Sequence, residues 1–208
     1  MLYLIRHAEP LNAEVTGDAI LLPDDASVLT PHGHAQAHAL AADFAQLHNA
    51  TVFSSTMPRA RQTAEPIAAA LGATLQLDAR LAERDFSRLT GLSAQASQAL
   101  QQQSYLNPAV SLIGEETLAA QRARVSAWLA DRMADLEAAI EAPMIVVCHG
   151  GTIEHVFAEL IGIPLAAMAR YFLACEYACF VAIRPMRFDG ELVYRVEGVN
   201  LGDLQGAC

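Results

Sequence analysis

Positive charge is scarce in this chain. Of its 208 residues only 13 are Lys or Arg, against 23 Asp or Glu, so the formal net charge is -10. Nucleic acid and anionic membrane surfaces both demand a basic face, and neither is expected as a partner. Long hydrophobic runs are missing as well, since no stretch approaches the ~18 apolar residues of a membrane span. No basic segment precedes an apolar run at the start, so no secretory signal is read and a cytoplasmic location is expected. Cysteine is sparse: Cys148, Cys175, Cys179 and Cys208 show neither a C-x-x-C spacing nor a small secreted framework, and read as reduced thiols. There is no Pro/Gly/Ser linker, repeat or low-complexity tract, which leaves one domain over residues 1–208. Zinc-type ligand spacing is absent, and His34 and His38, four apart on a helix, read as a solvated face.

What the chain does have is apolar material, 53% of its residues, enough for a substantial core. Strand and helix patterns alternate, the mark of an α/β fold. Tyr3-Leu4-Ile5 is a first strand, and residues 8–29 read as a long polar loop. Thr30-Pro31 then caps a helix carrying Ala37, Leu40, Ala41, Phe44 and Leu47 on one face. Thr51–Ser54 is a short strand, Pro58 opens a helix that Gly72 stops near Leu71, and Thr74–Leu77 fits a third strand. One long helix is expected after Gly114, with Leu118, Val125, Leu129, Leu136 and Ile140 along its inner stripe. Met144–Cys148 is apolar throughout, as in a strand buried on both faces, and His149-Gly150-Gly151 turns it into a helix ending near Ile161. Cys179–Ile183 and Leu192–Val196 flank a turn at Asp189-Gly190 and suggest an antiparallel edge and a candidate homodimer interface.

The chemistry gathers where these strands stop. Arg6-His7 follows the first strand at once, joining a fixed cation suited to phosphate or carboxylate with a nucleophile or proton carrier. In open α/β sheets that edge is where ligands bind. Arg59 stands in the first turn of a helix, where the helix dipole gives a cation nothing, so it is placed to meet an anion, with Arg61 its solvated neighbour. Glu83 sits in a loop after the third strand, and His149 precedes two glycines and a helix N-terminus, whose free N–H groups attract anions. A thiol-based phosphatase would need Arg six residues after Cys148; Glu154 is there instead.

These pieces occur in one order: Leu4-Ile5-Arg6-His7-Ala8-Glu9, Leu29-Thr30 with Gly33 and Gln36-Ala37, Ser54-Ser55 through Arg59-Ala60 and Gln62-Thr63-Ala64, Leu81 with Glu83, Gly114-Glu115, and Val147-Cys148-His149-Gly150-Gly151. In that order the chain resembles the histidine phosphatase superfamily, in its phosphoglycerate-mutase-like branch. The resemblance implies a three-layer α-β-α sandwich with a mostly parallel sheet and an antiparallel edge strand. It implies that His7 attacks phosphorus, with Arg6 beside it keeping the imidazole neutral by like-charge repulsion. Arg6, Arg59, His149, Gly150 and Asn12 would bind the phosphoryl group. Glu83 would protonate the leaving oxygen and then activate water, a role that asks for a poorly solvated carboxyl or nearby phosphate charge. No metal or cofactor enters, and the expected partner is a small phosphorylated substrate or inorganic phosphate. Two departures stand out. Ala8 replaces the usual Gly, which is tolerable if its backbone is not left-handed, and Pro10 stands where the family often has a hydroxyl. The expected activity is hydrolysis of a phosphomonoester. The alternatives are a phosphomutase, disfavoured by the short stretch between Glu83 and His149, and a catalytically weak phosphate-binding protein.

Overall fold

The apolar run at the N-terminus forms strand β1, Leu2–Arg6. In the computed structural model, which describes residues 1–11, 27–85 and 87–202, it is followed by helix α1, Pro31–Phe44, and strand β2, Thr51–Ser54. Helix α2, Pro58–Leu71, leads to strand β3, Leu75–Leu77. Helices α3, Ala94–Leu106, α4, Leu118–Asp131, and α5, Met133–Ala138, precede strand β4, Met144–Cys148. Helix α6, Gly150–Leu160, and strands β5, Phe180–Phe188, and β6, Glu191–Leu201, complete the described chain.

The strands form one sheet in the order β3-β2-β4-β1-β5-β6. β1, β2, β3 and β4 run parallel, with Arg6 opposite Cys148 and Ser54 opposite Val147. β5 is antiparallel to β1 and β6 to β5, so the expected antiparallel edge is two strands wide. Asp189 and Gly190 turn that hairpin with φ of 50° and 85°, the left-handed pair that a tight hairpin turn requires.

Alternation along the strands sorts the core into two layers. Tyr3, Ile5, Val52, Ile145 and Val147 point toward α1 and α2, whose Ala37, Leu40, Phe44, Ala64 and Ile67 cover them. Leu2, Leu4, Phe53, Met144 and Val146 point the other way, onto Val125, Trp128, Leu129, Leu136, Ile153 and Val156 of α4, α5 and α6. β4 is fully buried, which explains its unbroken apolar sequence. Three layers result, as the family resemblance implied.

One expectation needs correction. The single long helix after Gly114 is two, because the chain leaves helical geometry at Arg132, φ -105° and ψ 9°. The break lets Leu136 and Ala139 reach the sheet, while Ile140 lies past the end of α5 and is 38% exposed. Helix α3 has no counterpart in the periodic patterns of the sequence. Its buried positions are Ser97 and Ser104, so there is no apolar stripe to betray it.

The N-terminus of α1 is welded to the loop after β1. Thr30 Oγ1 accepts from Gly33 N at 2.9 Å and donates to Glu9 Oε1 at 2.6 Å, while Thr30 N donates to Glu9 O at 3.0 Å. A Cβ on Gly33 would lie 2.2 Å from Glu9 O, a backbone atom that cannot step aside alone. Gly33→Ala is expected to cost about 2 kcal/mol and lower the melting temperature by roughly 4–8 °C in a thermal scan.

Candidate active site

β1, β2 and β4 end side by side, and the backbone ladder runs one step beyond them: His7 N donates to Cys148 O at 2.9 Å and Ser55 N to Val147 O at 3.0 Å. This brings His7 and His149 within 5.0 Å, ring centroid to ring centroid. Both are buried, at 5% and 0% exposure. The crossing from β1 to β2 skips over β4, so these residues occupy a switch point in strand order.

Two hydrogen bonds settle the state of His7. Arg59 Nε donates to His7 Nε2 at 3.1 Å, and a guanidinium nitrogen can only donate. Nε2 is therefore unprotonated, the ring proton sits on Nδ1, and Nδ1 donates to Ala8 O at 2.8 Å. Burial first, and the Arg59 cation second, hold the His7 pKa well below 6.5, against the pull of the Ala8 carbonyl. Arg6 contributes less than either. The expectation that like charge on Arg6 keeps His7 neutral is corrected accordingly: desolvation dominates.

Arg59 is 3% exposed in the first turn of α2, whereas Arg61 is exposed and pairs with Glu65 at 2.7 Å. Thr63, one turn on, donates to Arg59 O at 2.8 Å and accepts from Ala8 N at 3.0 Å, tying that helix turn to the β1 loop. Ala8 has no left-handed backbone, so the missing glycine costs nothing there.

His149 stands at the β4–α6 junction. Its Nε2 meets Ser55 Oγ at 2.8 Å. Ser55 Oγ also accepts from Met57 N, and when its own hydrogen is turned to Nε2 the His149 proton lies on Nδ1. That Nδ1 is buried without a partner, as is Arg6 Nε. Burial, then the neighbouring His7 and Arg59, depress the His149 pKa well below 6.5.

Glu83 arrives from the loop after β3. Its Oε1 accepts from Arg84 N at 2.9 Å and Gln121 Nε2 at 2.9 Å, and its Oε2 from Gly151 N at 3.0 Å. Gly151 must be glycine for this approach, since a Cβ there would lie 2.6 Å from Glu83 Oε1. The loop itself is strapped down by Arg124, which donates to Arg80 O, Ala82 O and Glu83 O at 2.7, 2.7 and 3.0 Å, and by Thr152 Oγ1 on Ala82 O at 2.9 Å. Gly150 opens α6 next to His149, 3.9 Å from Arg6 Nε measured from an added Cβ. Asn12 lies outside the described residues.

The structure thus assembles Arg6, His7, Arg59, Glu83, His149 and Gly150 at one sheet edge. Sequence reading missed their supports. Gln121 and Arg124 gave no signal, being polar residues on an ordinary helix, while Ser55 and Thr63 lay within the quoted motif without a role. Glu115, also in that motif, folds its own loop: burial works against its charge, but Leu112 N, Ile113 N and Ser111 Oγ hold its pKa down at about 2. Among the described residues no group of three or more His, Cys, Asp or Glu side chains could hold a metal ion. His34 and His38 lie on the exposed face of α1.

The model of the histidine phosphatase superfamily, branch 1, matches residues 2–196. The chain belongs to this superfamily. A relative from Hydrogenobacter thermophilus, named "Putative phosphoserine phosphatase 2", is 31% identical over 169 residues, 79% of this chain and 80% of that protein. Among solved structures, a mycobacterial glucosyl-3-phosphoglycerate phosphatase in complex with VO3 superposes with a TM-score of 0.80 at 21% identity, covering 96% of this chain and 98% of that one. The alpha-ribazole phosphatase from Shigella flexneri gives 0.74 at 22% identity, over 97% and 96%. At such identities these two show a shared fold, the three-layer arrangement of this superfamily.

Two predictions come from the geometry of this histidine phosphatase. Gly151→Ala displaces only the tip of Glu83, so the melting temperature should change by little while phosphomonoester turnover falls at least ~10-fold, the scale of a displaced active-site carboxyl. The second concerns pH. The folded pKa values of His7, His149 and His155 lie below the ordinary 6.5, that of His155 at about 3. These rings stay neutral in the fold while the unfolded chain takes up protons, so their stabilisation is complete above pH 6.5 and is lost as pH falls. Glu154 runs oppositely. Burial lifts its pKa to about 7 from 4.5, so its contribution is full below pH 4.5 and lost as pH rises through 7. Three imidazoles outweigh one carboxyl, and urea denaturation should find the protein roughly 2–4 kcal/mol less stable at pH 5 than at pH 6.5.

Proposed function

We propose that this chain is a phosphomonoesterase that hydrolyses a small phosphorylated metabolite through a phosphohistidine on His7. The observation that carries the reading is the convergence of an unprotonated, buried Nε2 of His7 with two buried nitrogens that have no protein partner, Arg6 Nε and His149 Nδ1. A nucleophilic lone pair ringed by cationic and N–H donors suits a phosphoryl group, whose oxygens carry the charge throughout an in-line transfer.

In this mechanism the substrate phosphate draws Arg59 Nε away from His7 and onto a phosphoryl oxygen, which frees the Nε2 lone pair. Nε2 attacks phosphorus as the P–O bond to the alcohol breaks, and Glu83 gives its proton to the departing oxygen. The His7 proton stays on Nδ1, steadied by Ala8 O. Water then enters in line, Glu83 takes its proton, and the P–N bond breaks to release phosphate. Arg6, Arg59, His149 and the N–H groups opening α6 at Gly150 neutralise the oxygens in both steps. The small-metabolite class is supported by the relative named for phosphoserine. Reduced Cys148, Cys175 and Cys179 support a reducing, cytoplasmic setting. One sheet with a core on each face supports a single catalytic domain. The exposed Phe188 and Val199 on the outer hairpin support a homodimer along that edge.

The test is phosphate release across a panel of phosphomonoesters. His7→Ala should abolish it, and Glu83→Gln should slow it by about 10²–10⁴-fold. Quenching in acid during turnover of radiolabelled substrate should yield no acid-stable phosphoprotein, while quenching in base should retain the label on His7. Release that survives loss of His7 would sink the assignment, and isomerised sugar phosphate without release would identify a mutase instead.

A further inference from the structure

The segment Cys175–Cys179, which enters β5 at the edge where the parallel strands end, has no part in the reaction scheme, yet it touches both Arg6 and His7. Cys175 O accepts from Arg6 Nη1 at 2.8 Å, and Cys179 O accepts from Arg6 N at 2.9 Å. Ala178 N donates to His7 O at 3.3 Å. Between these anchors the Arg6 guanidinium carbon sits over the ring of Tyr177, Cζ to centroid 4.0 Å, and that ring approaches the His7 imidazole at 5.5 Å between centroids.

The path of this segment is not one the chain takes for free. Ala178 has φ 59°, the left-handed region that a residue with a Cβ avoids. Neither hydrophobic core includes Tyr177, which is half-buried and also lines a cleft with Gln36, Leu40 and Gly202. Burial in the core therefore does not account for its position; the face of Arg6 does.

We infer that Tyr177 is a positioning residue for the phosphate clamp: its ring supports one face of the Arg6 guanidinium while Cys175 O fixes Nη1, so that Nε is held toward the phosphoryl site beside His149 and Gly150. A guanidinium has freedom to rotate about its long stem. A carbonyl at one nitrogen sets one direction, and an aromatic face sets the plane. With both in place, Nε reaches the anion without first losing rotamer freedom. Tyr177 also shields one side of the His7 ring, which keeps water from the imidazole whose neutrality comes chiefly from burial. The hydroxyl has no part in this; the π face does.

This rests on the phosphatase reading of the site, and the experiment separates the two. Tyr177→Phe keeps the face and drops the hydroxyl, whereas Tyr177→Leu keeps apolar bulk and drops the face. Binding of inorganic phosphate, followed by calorimetry, should be unchanged in Tyr177→Phe and weakened about tenfold in Tyr177→Leu, the size of a partly desolvated cation–π contact. With p-nitrophenyl phosphate the loss should appear in KM more than in kcat, and melting temperatures should stay close. Phosphate affinity within twofold of the parent in Tyr177→Leu, or equal losses in Leu and Phe, would overturn the inference. Should Tyr177→Leu not fold, NMR of the parent protein decides: the Arg6 side-chain protons should be shifted upfield by the ring, and unshifted resonances would overturn it. Phosphate release by His7→Ala would instead remove the functional reading and leave the Arg6–Tyr177 contact to stand on the NMR result.

Discussion

The hydrogen bond from Arg59 Nε to His7 Nε2 can exist only while that nitrogen carries no proton. Burial makes this the resting state, since a charged imidazole without water would face a cation at 3.1 Å. The rest of the site follows from holding the pair in place. His7 is fixed through its backbone to β4 and through Nδ1 to Ala8 O, and Arg59 is fixed by the turn of α2 that Thr63 ties to Ala8 N. On the proposed mechanism the imidazole is thus kept ready by removal of water, and the cation that holds its lone pair is one that phosphate would attract away.

Around that pair the protein uses backbone where side chains would be too loose. Glu83 is aimed by three N–H donors, two of them main-chain, and its loop is held by the carbonyl contacts of Arg124 and Thr152. Gly151 lets a main-chain N–H come close to a carboxylate where a methyl group would collide. All the basic side chains in this chain are arginines. Two of them, Arg122 and Arg124, work as multi-point donors to fixed partners, which an ammonium group does less well.

Much of this was legible beforehand, for physical reasons. A strand buried on both faces must be apolar throughout, so β4 was plain, and Thr30-Pro31 and Gly72 mark helix ends by cap geometry. Reactive residues at strand ends are easily read once the strands are. Helix α3 was not legible because its inward positions are serines, and the break at Arg132 was hidden because a helical stripe predicts a face and says nothing of where the axis turns. The weight given to Arg6 in depressing His7 was an error of the same kind. Neighbours in sequence are visible beforehand; desolvation and the approach of Arg59 from another helix are not.

The sequence by itself determined the fold class, the strand-end placement of Arg6, His7, Arg59, Glu83 and His149, and membership of the histidine phosphatase superfamily through the order of its motifs. Only the tertiary structure decided which ring nitrogen of His7 is free, which groups aim Glu83, and that Tyr177 backs Arg6. Strand and helix identity comes from local periodicity, which a sequence carries in full. Protonation and aim depend on distances between side chains that lie far apart along the chain and meet only when the sheet closes.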